Sequence, residues 1–530
     1  MKKILAHPHF IPWFLFIFFT TLYFSSTVGG MNSLDGSQYA LTQALVEQRT
    51  IKINSFMKWT YNTDYSVFNG QYYSDRDPGL SFAATPFYLL AKIISSIANK
   101  PYGGYNINID FDSTLQAFTY LITVLSGAAT VVLIYLICIA FKRSSLTSLV
   151  TAILVGTGTL LWRYSPSFYR DPLYTFFFFL SWYLLIITYL SFPRKTLPYY
   201  RLLTSLAGLF FGLSIFTDYS KIYTISFFYL YLLFLKNIKK EAIIYFTVGL
   251  FFPFSLIFIY NYTAFKSLFT NPHLYQNYLL IYKSNNIFQT PLLPSVIANL
   301  FNNTFISPDL LKFHWDNPEI SYQMGSKWVT FWKYKGIFVQ TPILFLSIIG
   351  WISLLKSYFK ESFCLLLTAI SILLISSKMT VFWGGNTYDT RYFLTTSIIF
   401  MLGLPFFLKN IRKTKLFIIK GYKLILSILL ILISIYNGWH SNLTNFAPHI
   451  SGEHRFSFSQ LQHPFYSYGN FWYNIKLLFI NTFPNIYNIH ILFLFYFLPV
   501  LLIYFLNKYF HYLLSPKRKP LFSKRVKYRA

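Results

Sequence analysis

Runs of about twenty apolar residues recur along this chain, with short lysine and arginine clusters between them. Such a pattern folds inside a bilayer, because a helix of that length matches the hydrocarbon core and satisfies its own backbone hydrogen bonds. The runs fall near residues 10–28, 115–140, 146–162, 173–191, 203–217, 221–235, 242–260, 337–355, 362–377, 392–408, 422–439 and 489–507. They predict an all-α polytopic membrane protein of about twelve transmembrane helices, with surface helices and loops on its outer face. Composition agrees: of 530 residues, 55% are hydrophobic, 22% aromatic and only 12% charged, with a mean hydropathy of +0.45. A chain of this make-up does not stay in water as a globular protein.

The formal charge of +29 does not point to nucleic acid, because the basic residues sit between apolar runs and no nucleic-acid-binding motif is present. With the amino terminus inside, the cytoplasmic gaps carry Lys142/Arg143, Arg194/Lys195/Arg201, Lys236/Lys239/Lys240, Lys356/Lys360 and Lys409/Arg412/Lys413/Lys415. The carboxyl tail adds a further basic cluster from Lys517 to Arg529, which also suits contact with anionic lipid. Glu241 and Glu361 are the acids of these inner segments. This asymmetry sets the orientation, with both termini cytoplasmic. The first run is too long for a cleaved signal sequence and reads as an uncleaved span.

Nearly all remaining carboxylates then face outward, among them Asp35, Glu47, Asp64, Asp75, Asp77, Asp171, Asp218 and Asp389. Chemistry that needs acids belongs on that face. The long outer segments are 29–114, 261–336 and 440–488, which are expected to fold onto the membrane portion as a cap. The apolar stretch 78–98 is assigned as a surface or partly inserted helix, because counting it as a span would turn every later basic cluster outward. Asp35 precedes an amphipathic segment and reads either as the cap of a surface-lying helix or as a side chain facing a cleft.

Several features carry no chemistry. Cys138 and Cys364 lie in apolar runs without metal or redox spacing. His440, His449, His454 and His463 share one outer loop but fit no helical ligand pair. No phosphate-binding glycine motif and no soluble nucleotide domain is present, so no nucleotide cofactor is expected. Charged residues are scarce in the middle of the runs, which sets a transporter or flippase of a lipid-linked glycan second to an enzyme.

Four stretches converge on the outer face under this topology: Asp35-Gly36, Asn69 to Gly79, Trp162 to Pro172, and Trp383 to Tyr392. In this order they resemble the membrane-embedded GT-C glycosyltransferases, including protein O-mannosyltransferase, aminoarabinose transferase and rhizobial lipopolysaccharide galacturonosyltransferase relatives. Asp35 stands where that family keeps the acid of its first outer loop. GQYYSDRDPGLS is similar to G-x-Y-Y-S-D/E-K-P-P-G-x-S, with Arg76 in place of lysine and Asp77 in place of the first proline. An arginine fork and a lysine point charge bind phosphate differently. FYRDPLYTFF resembles a segment that often reads S-E-P-L and aligns Asp171 with its acid; WGGNTYDTRYF resembles W-G-G-x-x-Y/F-G-x-R-Y/F-L/F, with Asp389 at a usual glycine.

The resemblance covers about residues 10–410; it implies a catalytic membrane core over 1–410 with an outer first loop at 29–114, and leaves 411–530 as a carboxyl-terminal membrane segment with an outer loop and basic tail. It implies a polyprenyl-phosphate sugar as donor, a lipid, glycan or protein of the cell envelope as acceptor, and a site on the extracytoplasmic side of a bacterial inner membrane. In that chemistry Asp35 is the expected general base for the acceptor hydroxyl. Arg76 and Arg391, with Arg170 and Lys221 behind them, are the expected partners of the departing phosphate. Tyr73 and Trp383 offer stacking faces. Asp171 and Asp75 are candidate ligands for a divalent cation, Mg²⁺ or Mn²⁺.

Overall fold

The computed structural model describes residues 10–27, 33–98, 113–191, 199–235, 239–277, 288, 290–301, 336–379, 390–413 and 417–443. Trp383, the run at 489–507, the histidine-bearing loop and the basic tail lie outside them. In order, the helices are α1 Phe10–Ser25, α2 Ser33–Gln43, α3 Gly79–Ala98, α4 Ser113–Thr119, α5 Leu121–Ala140, α6 Ser145–Gly158, α7 Leu161–Tyr164, α8 Arg170–Ile186 and α9 Tyr200–Thr217. They continue with α10 Ile225–Leu233, α11 Lys239–Phe265, α12 Leu292–Leu300, α13 Ile337–Gln340, α14 Leu344–Ser357, α15 Phe359–Lys378, α16 Leu394–Met401, α17 Leu404–Lys413 and α18 Phe417–Leu443.

Among the described residues, 7 helices are long and apolar enough to cross a membrane, and three further apolar helices, Phe10–Phe24, Ser145–Gly158 and Leu344–Ser357, are shorter. The run at 221–235 differs from expectation. Its first part is a 3-10 turn, Tyr219–Thr224, and only the 9 residues of α10 follow as α-helix. The cause is local: Asp218 and Lys221 turn inward to pair at 2.9 Å, and the chain bends to let them. The outward faces of α11 and α18 are studded with exposed Phe251, Phe252, Ile259, Ile425 and Leu432, the surface expected of helices in contact with acyl chains.

The centre of the bundle is aromatic. Phe228 of α10 meets Phe211 of α9 with ring centres 4.2 Å apart and Trp182 of α8 at 4.6 Å, and Phe246 of α11 closes the cluster at 5.7 Å. The hydroxyl of Ser181 donates to the Ala207 carbonyl at 2.7 Å, pinning α8 to α9.

A second, smaller core gathers α2, the hairpin and α3. The two-residue turn Asn69-Gly70, with φ of 48° and 70°, joins β1 Ser66–Phe68 to β2 Gln71–Tyr73 in an antiparallel hairpin. Positive φ at both positions matches the right-handed twist of the strands. The ring of Tyr39 in α2 packs edge-on against Trp59, Tyr88 and Phe168, with centres 5.2–5.9 Å apart. Residues 35–44 are buried on nearly every side, so α2 is an enclosed helix and not one that lies open on a surface. The 54–60 turn, α3 and the 74–78 loop enclose it.

The amphipathic stretch at 78–98 forms α3, which buries Leu80, Ala84, Tyr88 and Ala91 while exposing Phe82, Leu89, Leu90 and Ile93. It falls outside the helices apolar enough to cross a bilayer.

Candidate active site

Asp35 is the third residue of α2 and therefore lies within its first turn, not before it as a cap. It is 0% exposed. Its helix is held tightly on both sides. A side-chain carbon at Gly36 would fall 1.9 Å from the Trp59 carbonyl oxygen, so only glycine permits this approach. Ser37 Oγ lies 3.0 Å from Ser74 Oγ and accepts the Asp75 N–H at 3.3 Å, which binds α2 to the loop carrying Arg76. On the far side the Tyr120 hydroxyl stays protonated, its pKa raised well above the usual phenol range by burial and then by the charge of Asp35.

Three of the expected basic residues come together. Arg76, Arg170 and Arg391, with Gln38 and Tyr169, line one small cleft that is partly open to its surroundings. They arrive from three separate stretches of sequence, and each is held differently. Arg76 pairs with Asp64 at 2.8 Å and Asp75 at 3.3 Å. The Gln276 amide donates to both carboxylates, at 3.3 and 2.6 Å, completing a clamp on the guanidinium. Ser66 Oγ donates to the Pro272 carbonyl at 2.6 Å, so the chain after α11 is fastened to the hairpin as well. Arg170 pairs with Asp77 and, at 3.3 Å, with Asp218. Asp77 also accepts the Tyr219 N–H at 3.1 Å.

Arg391 differs from the other two. Its guanidinium lies over the rings of Tyr169 and Tyr392, 5.2 and 5.1 Å from their centres, and among the described residues no carboxylate is within ion-pair distance. It is 7% exposed, and the charge of Asp171 reaches it only from beyond ion-pair distance.

Burial pushes the Asp75 carboxyl up to about 6 and the Asp77 carboxyl up to about 7, with Arg76 and Arg170 respectively pulling the other way. For Asp218 burial is outweighed by Arg170 and Lys221, which hold it well below the usual carboxylate range. Desolvation, then the charges of Arg76 and Arg170, keep the His273 imidazole neutral, its pKa well below normal.

Asp35, Asp75, Asp171, Lys221 and Tyr73 are not among the residues that line the cleft, and Asp35 is enclosed one helical turn from its Gln38 wall. Lys221 is spent behind it, 2.9 Å from Asp218, 3.8 Å from Asp171 and over the Tyr174 ring at 4.1 Å. Tyr73 is buried against Phe265 with ring centres 5.4 Å apart, which makes it a core residue and not an exposed stacking platform.

The expected metal ligands do not form a ligand set. Asp75 lies against Arg76 and Gln276, Asp171 against Lys221, and among the described residues no three His, Cys, Asp or Glu side chains gather. Asp75 Oδ2 faces Arg76 and Gln276 and Asp171 Oδ1 faces Lys221, so among the described residues these two carboxylates share no common site with a third ligand.

Sequence reasoning passed over Gln38, Asp218 and Gln276. Gln38 had a usable signal, since a residue three positions from Asp35 on a helix shares its face. The other two had none, because their partners lie far away in sequence.

Comparison with known proteins gives a structural likeness only. No family model and no curated protein matches the sequence. Among solved structures, the chain is similar to the oligosaccharyltransferase of Archaeoglobus fulgidus in its apo form, with a TM-score of 0.49 and 14% identity over 83% of this chain and 56% of that one. The same enzyme in complex with zinc and sulfate gives a TM-score of 0.49 and 14% identity over 82% of this chain and 53% of that one. The chain thus spans about half the length of the solved structures it matches.

Proposed function

We propose that this protein is an integral-membrane glycosyltransferase of the GT-C type, which transfers a sugar from a polyprenyl-phosphate donor to a hydroxyl of a lipid, glycan or protein acceptor on the extracytoplasmic face. The observation that carries the reading is the convergence of Arg76, Arg170 and Arg391 on one cleft whose wall includes Gln38, one helical turn from Asp35.

The chemistry follows from charge. A polyprenyl-phosphate sugar leaves as a phosphate, and the carbon–oxygen bond that breaks delivers its electron pair to that oxygen. Fixed cations in a desolvated cleft stabilise this developing charge more than the ground state, which is where rate acceleration comes from. Arg391 has the geometry for it: it is desolvated, gripped by two aromatic rings, and has no carboxylate to compete with an incoming anion among the described residues. Arg170 and Arg76 are pre-oriented by their acids and present fixed donors. Asp35 takes the proton of the acceptor hydroxyl as that oxygen attacks the anomeric carbon, and the acid ends protonated while the new glycosidic bond forms.

The test is transfer itself. Purified protein in lipid nanodiscs, given radiolabelled polyprenyl-phosphate sugars and an envelope extract, should move label from the lipid to a new product identified by mass spectrometry. Asp35→Asn should lose at least a hundredfold in rate. A donor that crosses the bilayer with its sugar still attached would make the protein a flippase, and full activity in Asp35→Asn would remove the assigned base.

A further inference from the structure

Three hydrogen-bond donors around the cleft are buried without an acceptor among the described residues: Gln38 Nε2, Arg76 Nε and Arg391 Nε. Gln38 is 2% exposed. Its backbone is fully engaged, the carbonyl accepting from Ser81 Oγ at 2.8 Å and Thr42 Oγ1 at 3.0 Å, which fixes the residue in place. A buried, unsatisfied amide donor carries a desolvation cost that folding alone does not repay. Three such donors on the lining of one cleft describe a surface waiting for acceptor atoms, and a phosphoryl group offers several on one centre.

We infer that Gln38 is a substrate-contacting residue, whose carboxamide donates a hydrogen bond to a phosphoryl oxygen of the donor. The inference rests on the proposed phosphate-bearing donor and adds a neutral ligand to its cationic ones. The position has a consequence for the reaction. Gln38 follows Asp35 by three residues on α2, so one rigid helix holds the group that binds the departing phosphate and the group that deprotonates the acceptor. The spacing between leaving group and attacking oxygen is then set by a helical turn and not by a loop.

A neutral amide also suits this place better than a fourth cation. It adds a directed donor without repelling Arg76, Arg170 and Arg391, whose charges already crowd the cleft.

The experiment is a titration of the purified full-length protein with a synthetic polyprenyl monophosphate that carries no sugar, followed by tryptophan fluorescence, beside ligand-free thermal melts. Wild type, Gln38→Met, Gln38→Glu and Arg391→Ala are compared. Gln38→Met keeps the shape and removes the donor. It should bind about ten- to a hundredfold more weakly, yet melt at or above the wild-type temperature, since an unsatisfied donor has been taken out of the interior. Gln38→Glu, which turns the cleft-facing group into an acceptor, should bind more weakly still.

Wild-type affinity in both Gln38 variants, with Arg391→Ala weakened, overturns the role of Gln38 and leaves the donor reading standing. A lowered melting temperature in Gln38→Met with unchanged affinity likewise overturns it, in favour of a structural residue. Failure of wild type to bind the monophosphate overturns the donor reading, and this inference with it. Should Gln38→Met not fold, Gln38→Glu decides alone.

Discussion

The hydroxyl of Ser37 lies 3.0 Å from that of Ser74 and accepts the N–H of Asp75, and through this junction the helix of the candidate base is joined to the loop of Arg76. Ser37→Ala deletes the junction without enlarging any side chain. It strands the buried Asp75 N–H and leaves the Ser74 hydroxyl with the Arg76 N–H alone, so stability should fall by about 1–2 kcal/mol. Catalysis should fall more than donor binding, because each half of the site survives while their alignment loosens. Denaturant melts and steady-state transfer rates on one preparation check both.

Arg170 and Arg391 should respond to truncation in opposite ways. Arg170→Ala leaves Asp77 buried without its cation and Asp218 with Lys221 alone, a change that costs about 3–5 kcal/mol in comparable settings and should show as poor yield and early melting. Arg391→Ala abandons no carboxylate among the described residues, so the protein should fold normally and lose donor affinity and transfer. Arg391→Lys should recover little, since a lysine head neither forks onto a phosphate nor reproduces the guanidinium's contact with Tyr169 and Tyr392. Expression, melting temperature and donor KM separate the cases.

Lys221 belongs with Arg170 in this respect. Lys221→Met should destabilise the protein by exposing Asp218 and Asp171 to one another without the ammonium between them. Donor KM in whatever folds should stay near wild type, because the ammonium does not line the cleft. A large rise in KM with unchanged melting would return Lys221 to the phosphate.

The two raised carboxyls give stability a pH dependence of definite sign. Asp75 at about 6 and Asp77 at about 7 bind protons more readily folded than unfolded. Their contribution is fully present below pH 4 and is lost as pH rises through 6 to 7. Melting temperature should therefore decline across that window, and Asp77→Asn should flatten the upper half of the decline. A curve that rises from pH 5 to 7.5 in wild type, yet not in Asp77→Asn, would reverse the assignment.

What the sequence disclosed and what it hid divide along sequence distance. Asp35, Arg76, Arg170 and Arg391 each sit in a short, patterned stretch, and orientation by basic clusters placed those stretches on one face. Their roles depend on partners that no local pattern contains: Asp77 meets Arg170 across 93 residues, and Gln276 meets Asp75 across 201. Lys221 and Tyr73 lie away from the cleft lining for the same reason. A basic residue near a motif, or a tyrosine inside one, has no local mark showing whether an acid or a phenylalanine far along the chain already covers it. The run at 221–235 looked like a span because hydropathy averages over the Asp218–Lys221 pair that bends it.

The clamp on Arg76 also dictates a timetable. Asp75 and Asp64 gain their shared amide only when Gln276 has been made, 201 and 212 residues downstream, and the cleft acquires Arg391 later still. During synthesis the early acids and their arginine must wait, half matched, while α4 to α11 are threaded into place. The cleft is whole only once Arg391 has been made, so a nascent chain cannot present all three arginines before most of the described helices are built.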